Sequence, residues 1–158
     1  MAHRDFSVSA TANIESAATR VFAVISDPSR LVKLSPGTVL IGDVEECVTG
    51  GFQVRASSPS QLTGYQVRLM TELYDPPNRL IISSELVQRG LVAKLLRLRI
   101  ADRVEWIVRP AGENRSAVTL TVTWQKLSVT SGPLMGRRAR RTVEDQLRRL
   151  AQLAVDAR

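Results

Sequence analysis

The longest helical pattern of the chain lies near its end, over residues 133–155. At 100° per residue, the apolar side chains of this stretch fall within one sector, and the charged side chains fall outside it. Gly132-Pro133 is a suitable start, because proline at the first helical position loses an N–H that has no helical partner. The pattern therefore predicts a long amphipathic helix whose apolar face must pack against the rest of the chain.

The beginning of the chain predicts one strand followed by two short helices. Residues 6–14 alternate apolar and polar side chains with a period of two, which is typical of a half-buried strand. Ser16 is a suitable N-cap for the first helix, and Asp27 and Pro28 supply the N-cap and the first turn of the second. The second helix should end before the helix-breaking residues 35–37.

The middle of the chain, residues 38–126, predicts six further strands in hairpin succession. Alternation places Leu40, Val44 and Val48 on one face of the first of these, and a later strand is predicted over 98–108. Short connections favour antiparallel pairing, and a twisted antiparallel sheet has one face available for a core. We therefore expect an α+β fold in which a curved seven-stranded sheet wraps around the long helix. A gap of about 300–1,000 Å³ between sheet and helix would hold a ligand.

Composition limits the class of protein. The 158 residues suffice for one domain, which we expect to span 1–158, and the lone Cys47 excludes an internal disulfide. There is no signal-peptide pattern and no apolar run of about 20 residues, so we expect a soluble cytoplasmic protein. The net charge of +7 comes almost entirely from arginine, and few aromatic residues accompany it, which argues against stacking on exposed bases.

Several kinds of catalytic chemistry are excluded by the residues available. The only histidine is His3, close to the N-terminus, so no Ser-His-Asp or Cys-His arrangement and no histidine-based metal site is expected. Gly50-Gly51 lies between strands and not before a helix, which excludes a phosphate-binding loop of the usual kind. We expect neither a metal nor a cofactor.

Polar residues on apolar faces are the best candidates for a site. Asp102 shares the parity of Ile100, Val104 and Trp106, and a carboxylate there would be an acid/base group or a ligand anchor. Alternatively, a β-bulge turns it to solvent, or it pairs with an arginine such as Arg103 or Arg68. Gln146 lies within the apolar sector of the long helix. The predicted ligand-binding residues are Tyr65, Leu69, Thr71, Ile82, Ser84, Ile100, Asp102, Trp106, Trp124, Met135, Val143, Gln146 and Leu147.

Two stretches of the sequence resemble a known superfamily. A strand over 8–14 is followed by a helix over 17–25 and by Asp27-Pro28, and in residues 104–124 a Pro- and Gly-containing turn leads into a Thr/Val-rich strand. These features resemble the START/Bet v 1-like superfamily, also called SRPBCC or polyketide cyclase/dehydrase-like, over nearly the whole chain. The resemblance implies a helix-grip fold with an apolar cavity. Its members bind lipids, polyketides, hormones and other hydrophobic molecules, and a minority are cyclases or aromatases.

Three functions follow as hypotheses. The first is binding of a hydrophobic small molecule that enters between segment 90–96, loop 57–61 and the beginning of the long helix. The second is a cyclase or dehydratase in which Asp102 is the general acid/base and Tyr65 polarises a carbonyl. The third is contact with RNA or an anionic membrane through outer arginines of the long helix, namely Arg137, Arg138, Arg141 and Arg148. The oligomeric state, monomer or homodimer, stays open.

Overall fold

Seven strands form one antiparallel sheet in the computed structural model, which describes residues 3–58, 64–91, 100–128 and 132–156. The sheet order is β1-β7-β6-β5-β4-β3-β2, so the first strand pairs with the last and every other neighbour is consecutive. The predicted sheet is thereby confirmed. The strands are β1 (His3–Ile14), β2 (Val39–Glu46), β3 (Phe52–Ser57), β4 (Tyr65–Asp75), β5 (Arg79–Arg89), β6 (Arg103–Gly112) and β7 (Arg115–Ser128).

Two short helices follow β1, as predicted. They are α1 (Ala18–Ile25) and α2 (Pro28–Leu31), and a 3-10 turn (Val32–Leu34) continues the second. The Asp27 carboxylate accepts the main-chain N–H of Ser29 at 2.9 Å, which confirms Asp27 as the N-cap of α2. The longest described helix, α3 (Gly132–Asp156), agrees with the pattern seen over 133–155. Within the described part of the chain, no helix is long and apolar enough to cross a membrane.

Ser16 does not cap α1, so that prediction was wrong. Ala17 occupies the N-cap position of α1. Ser16 is buried, and its hydroxyl donates to the main-chain oxygen of Ala154 at 3.3 Å, while the Ser116 hydroxyl donates to the main-chain oxygen of Ser16 at 3.0 Å. The hydroxyl thus satisfies a carbonyl in the last turn of α3, which has no partner within its own helix.

Helix α3 fixes one side of the core. It packs against β1, β7, α1 and the 3-10 turn. Its buried face meets the inward side chains of the sheet, so the predicted amphipathic face is confirmed where it is described. The buried residues of this face are Ala139, Val143, Leu147, Leu150 and Ala154.

Strand β2 departs from simple alternation. Leu40 packs against the core, but Val44 is 46% exposed and Val48 lies fully in solvent, so the prediction of one shared face was wrong. The pairing of β2 with β3 shifts register between Ile41 and Glu45, and Gly42 within this interval has a φ of +73°. A bulge of this kind reverses the face on which later side chains lie.

The strand predicted over 98–108 begins later than expected. β6 starts at Arg103 and extends to Gly112, so Asp102 precedes it. Within β6, Trp106 and Val108 are buried, which agrees with the predicted parity. Residues 98 and 99, and most of segment 90–96, lie outside the described residues.

We predict that Leu150→Ala lowers the free energy of unfolding by about 2–5 kcal/mol, because it leaves a cavity at a fully buried position of α3. The measurement is urea denaturation followed by circular dichroism. The control is Arg149→Ala, one residue earlier on the solvent face, which should change stability by less than about 0.5 kcal/mol. Equal effects of the two changes would contradict the packing described for α3.

Candidate functional site

A cavity of about 170 Å³ lies between the middle of the sheet and the turn that follows α2. Strands β3 to β6 form its floor, and α2, the 3-10 turn and one residue of α3 form the other wall. It is smaller than the gap expected from the sequence. The lining residues are Leu31, Val32, Leu34, Ser35, Thr38, Ala56, Tyr65, Val67, Leu69, Ile82, Ser84, Ile100, Ala101, Val104, Trp106 and Gln146.

The chemistry of this lining is apolar with scattered neutral polar groups. Hydroxyl groups come from Ser35, Thr38, Tyr65 and Ser84, and an amide comes from Gln146. Among the lining residues that the structure describes, none carries a formal charge at neutral pH. A cavity of this kind offers apolar contact and neutral hydrogen bonds, and it offers no counter-ion to a charged ligand.

Gln146 connects the cavity wall to α3. Its amide nitrogen donates to the hydroxyl of Ser35 at 3.0 Å, and both residues line the cavity. The predicted position of Gln146, on the inner side of the helix, therefore places it at the site. The same hydrogen bond fixes the turn after α2 against the helix, so the two walls are joined at this point.

Tyr65 stands at the start of β4, where it is partly buried in the cavity wall. Burial raises the pKa of its phenol above the ordinary value of 10.0. The phenol is therefore protonated throughout the physiological pH range. It acts in the site as a neutral group that can donate or accept a hydrogen bond.

Trp106 forms part of the floor at the centre of β6. It is 1% exposed, and its indole N–H has no acceptor among the described residues. Trp124 was also among the predicted ligand-binding residues. In the structure Trp124 packs against Phe6, with ring centroids 5.8 Å apart, and is not part of the cavity lining.

Asp102 is placed by main-chain hydrogen bonds beside the cavity wall. Its carboxylate accepts the main-chain N–H of Gln125 at 2.6 Å. Its own N–H donates to the oxygen of Thr123 at 2.9 Å, and its carbonyl accepts the N–H of Ser84 at 2.9 Å. The neighbouring Ala101 lines the cavity, whereas Asp102 does not. These main-chain hydrogen bonds join Asp102 to β5 and β7, a structural role that the alternatives considered from the sequence, a β-bulge or an arginine pair, did not include.

Thr71 also has a structural partner. Its hydroxyl accepts the N–H of Phe52 at 3.0 Å and donates to the oxygen of the same residue at 3.2 Å. A Cβ at Gly51 would lie 2.4–2.6 Å from the Thr71 side chain, and Gly51 has a φ of +81°. Glycine is therefore required where the β2–β3 turn meets Thr71.

The structure thus brings seven of the predicted ligand-binding residues together and separates the others. Val143 and Leu147 are buried in the core between α3 and the sheet, away from the cavity lining. The side chain of Met135 lies outside the described residues. The seven that line the cavity are Tyr65, Leu69, Ile82, Ser84, Ile100, Trp106 and Gln146.

Sequence reasoning missed the other lining residues for two reasons. Ala56, Val67 and Val104 lie on the inward faces of their strands, and their parity could have identified them. The wall over residues 31–38 comes from a helix end and an irregular turn, where no periodicity reports which side chains face inward. No group of three or more metal-binding side chains occurs in the described ranges.

Comparison with known families gives one match that spans most of the chain. The family model described as polyketide cyclase / dehydrase and lipid transport matches residues 5–155. No curated protein matches the sequence. The match supports the resemblance seen in the sequence.

Solved structures with the same fold share little sequence with this chain. A START superfamily protein from Mycobacterium smegmatis is 14% identical, with a TM-score of 0.70 over 96% of this chain and 99% of that one. The Zhui aromatase/cyclase from Streptomyces sp. R1128 is 16% identical, with a TM-score of 0.65 over 96% and 94%. Norcoclaurine synthase from Thalictrum flavum, in complex with dopamine and hydroxybenzaldehyde, is 12% identical, with a TM-score of 0.65 over 99% and 90%. These likenesses establish the helix-grip fold.

We predict that Tyr65→Phe changes how stability depends on pH in the alkaline range. Above pH of about 10 the unfolded chain releases the phenolic proton more readily than the folded protein, whose Tyr65 pKa is raised. The free energy of unfolding of the wild type should therefore fall, relative to that of Tyr65→Phe, as the pH rises from 10 to the folded-state pKa. Urea denaturation of both proteins between pH 8 and 11 measures this difference. Parallel curves would contradict the burial of the phenol.

Proposed function

The chain belongs to the polyketide cyclase / dehydrase and lipid transport family, and on this basis we propose that it binds a compact, uncharged hydrophobic molecule in the cavity. The observation that carries the proposal is the lining itself. Most of it is aliphatic or aromatic, its polar groups are neutral, and no described lining residue is charged. A hydrophobic small molecule is therefore the partner that this site suits best.

The volume sets the size of this molecule. A cavity of about 150 Å³ with apolar walls admits a ligand such as benzene, and the cavity here is about 170 Å³. A ligand with one aromatic ring and a short substituent matches that space. A larger ligand must displace lining side chains or extend through the mouth. Apolar burial at about 25 cal/mol per Å² supplies the affinity, less the cost of association.

The proposal predicts that Leu69→Trp weakens binding of a neutral aromatic probe with one ring, p-cresol. Leu69 lines the cavity, and an indole there would fill the space that the probe needs. The control is Met70→Trp, because Met70 is the next residue of β4, lies on the opposite face and is 43% exposed. Isothermal titration calorimetry with p-cresol measures the dissociation constant.

We expect at least tenfold weaker binding to Leu69→Trp and unchanged binding to Met70→Trp. Equal binding to both variants would show that the probe sits elsewhere and would contradict the proposal. Native mass spectrometry of the freshly purified protein, followed by organic extraction, then identifies the natural ligand.

Catalysis of the cyclase or dehydratase type is less well supported by this site. Tyr65 supplies a neutral proton donor to the cavity, which favours polarisation of a carbonyl. A cyclisation also needs a base, and the described lining contains neither a carboxylate nor an imidazole. Asp102, the predicted acid/base, is held by the main chain of β7 and does not line the cavity. Binding therefore accounts for more of the site than catalysis does.

The arginine face of α3 supports a second candidate function, contact with RNA or an anionic membrane. Arg137, Arg138, Arg140 and Arg141 are all exposed, and none of them is in an ion pair within the described part of the chain. Arg148, which the sequence grouped with them, instead pairs with Asp145 at 2.8 Å. The uncompensated positive charge is therefore concentrated in the first half of the described helix.

We predict that reversing Arg140 and Arg141 to Glu weakens binding to single-stranded RNA or to vesicles that contain phosphatidylserine. Each lost phosphate contact should reduce the slope of log affinity against log salt by about 0.7 for a single strand. The matched control reverses Arg20 and Arg109, which are also exposed and give the same change in net charge. Equal loss in both double variants would indicate a general effect of net charge and would contradict a specific face.

A further inference from the structure

The sheet has two edge strands, and only one of them is protected against pairing with another chain. β1 and β2 each have a single neighbour in the sheet order, so one side of each strand presents main-chain N–H and C=O groups without a sheet partner. On β2, the register shift near Gly42 and the exposed acidic side chains of Asp43, Glu45 and Glu46 interrupt this edge. Bulges and charged side chains are features by which natural proteins block strand addition.

Strand β1 has none of these features from Phe6 to Ile14. The stretch contains no charged residue, no glycine and no proline, and its register with β7 is unbroken. No main-chain hydrogen bond joins it to any described segment other than β7. Every second residue of an edge strand directs its N–H and C=O groups away from the sheet, so this stretch offers a regular, open set of donors and acceptors.

Helix α3 turns this edge into a corner. The helix packs on the inner side of β1, where a Cβ at Gly136 would lie 3.5 Å from the ring of Phe6. The next inward side chains along the open edge are small, namely Ala10 and Ala12, and they are only partly buried. Ala151 of α3 is partly buried as well. A strand added to β1 would therefore find room for its own inward side chains beside α3.

The flank of α3 at this corner carries positive charge towards the beginning of the helix. Arg140 lies about 120° around the helix from Gln146, which lines the cavity, so Arg140 is on the side away from the cavity. Arg137 and Arg140 are exposed, and neither is in an ion pair with Glu144 or with any other described residue. Negative charge on an added strand would be favoured at this end of the corner.

A second copy of this chain does not fit the corner. Pairing of two β1 strands would place them about 4.8 Å apart, and each would carry its own α3 on the inner side. Two packed helices need an axis separation of about 8–10 Å, which this strand spacing does not provide. A lone extended segment has no helix of its own and meets no such conflict.

We propose that the open edge of β1 binds an extended acidic peptide segment of a partner protein as an eighth, antiparallel strand. Its apolar side chains face α3, and its acidic residues lie at its C-terminal end, beside Arg137 and Arg140. In this mode of recognition the main-chain hydrogen bonds supply affinity, and the side chains supply specificity. The proposal is independent of the cavity, which lies on β3 to β6.

Three synthetic peptides with blocked termini test the proposal. The acidic probe is SVTITVSEE, which alternates polar and apolar residues and matches the length of the open stretch. SVTITVSKK reverses its charge, and SVTPPVSEE replaces its two central residues by proline, which removes main-chain donors. Titration of ¹⁵N-labelled protein, followed by NMR, gives each dissociation constant. Amide hydrogen exchange of the complex then locates the bound peptide on the protein.

We expect SVTITVSEE to bind, SVTITVSKK to bind about tenfold more weakly, and SVTPPVSEE not to bind. In the complex, alternate amides between Phe6 and Ile14 should exchange more slowly than in the free protein. Arg140→Glu should weaken binding of SVTITVSEE about fivefold. The matched control is Arg149→Glu, which makes the same charge change about 180° around the same helix and should leave the affinity unchanged.

Several results would overturn the inference. One is the absence of binding of SVTITVSEE at a concentration of about 1 mM. Another is binding that protects amides outside β1, or that falls equally in Arg140→Glu and Arg149→Glu, since either result places the peptide elsewhere. Sedimentation equilibrium of the protein alone covers the remaining occupant. A dimer whose β1 amides are protected would show that a second copy occupies the edge.

Discussion

One helix is too narrow to cover the concave face of a seven-stranded sheet, and the rest of the structure depends on this constraint. Seven strands at a spacing of about 4.8 Å span about 29 Å, whereas a helix with its side chains is about 10 Å wide. Here α3 packs on β1 and β7, at one edge of the sheet. The inner face of β3 to β5 is left to α2 and its 3-10 turn, which are too short to fill the space. The cavity is the part of this inner face that the helices do not cover.

The polar side chains around the cavity are of two kinds. Some form hydrogen bonds that stabilise the fold, and others face the cavity. Thr71 and Asp102 are engaged by main-chain groups of neighbouring strands, and each helps to join two segments of the sheet. Gln146 serves both purposes, because it donates to Ser35 and also lines the cavity. Tyr65 offers the cavity a neutral hydrogen-bonding group, and the described lining carries no charge, so this lining suits shape and neutral hydrogen bonding rather than ion pairing.

Much of the fold could be predicted from the sequence, because period-two and 3.6-residue patterns report directly which face of an element is buried. The length of α3, the burial along β1 and β7 and the Asp27 cap all follow from such patterns. The predictions were wrong where local backbone geometry interrupts the alternation of side chains along a strand. A register shift near Gly42 turned Val44 to solvent, and β6 began only after Asp102. The wall over residues 31–38 has no regular period, so its five lining residues could not be predicted from such a pattern.

Trp106 and Trp124 show why parity alone cannot separate a core residue from a site residue. Both are buried, both point inward, and they lie on adjacent strands. Trp124 packs against Phe6 of β1, on the side of the sheet that α3 covers, whereas Trp106 lies where that coverage ends and the cavity begins. The role of an inward residue is therefore decided by what lies opposite it, which depends on where the helix crosses the sheet. That crossing is set by packing between elements distant in sequence, and a pattern within one strand contains no information about it.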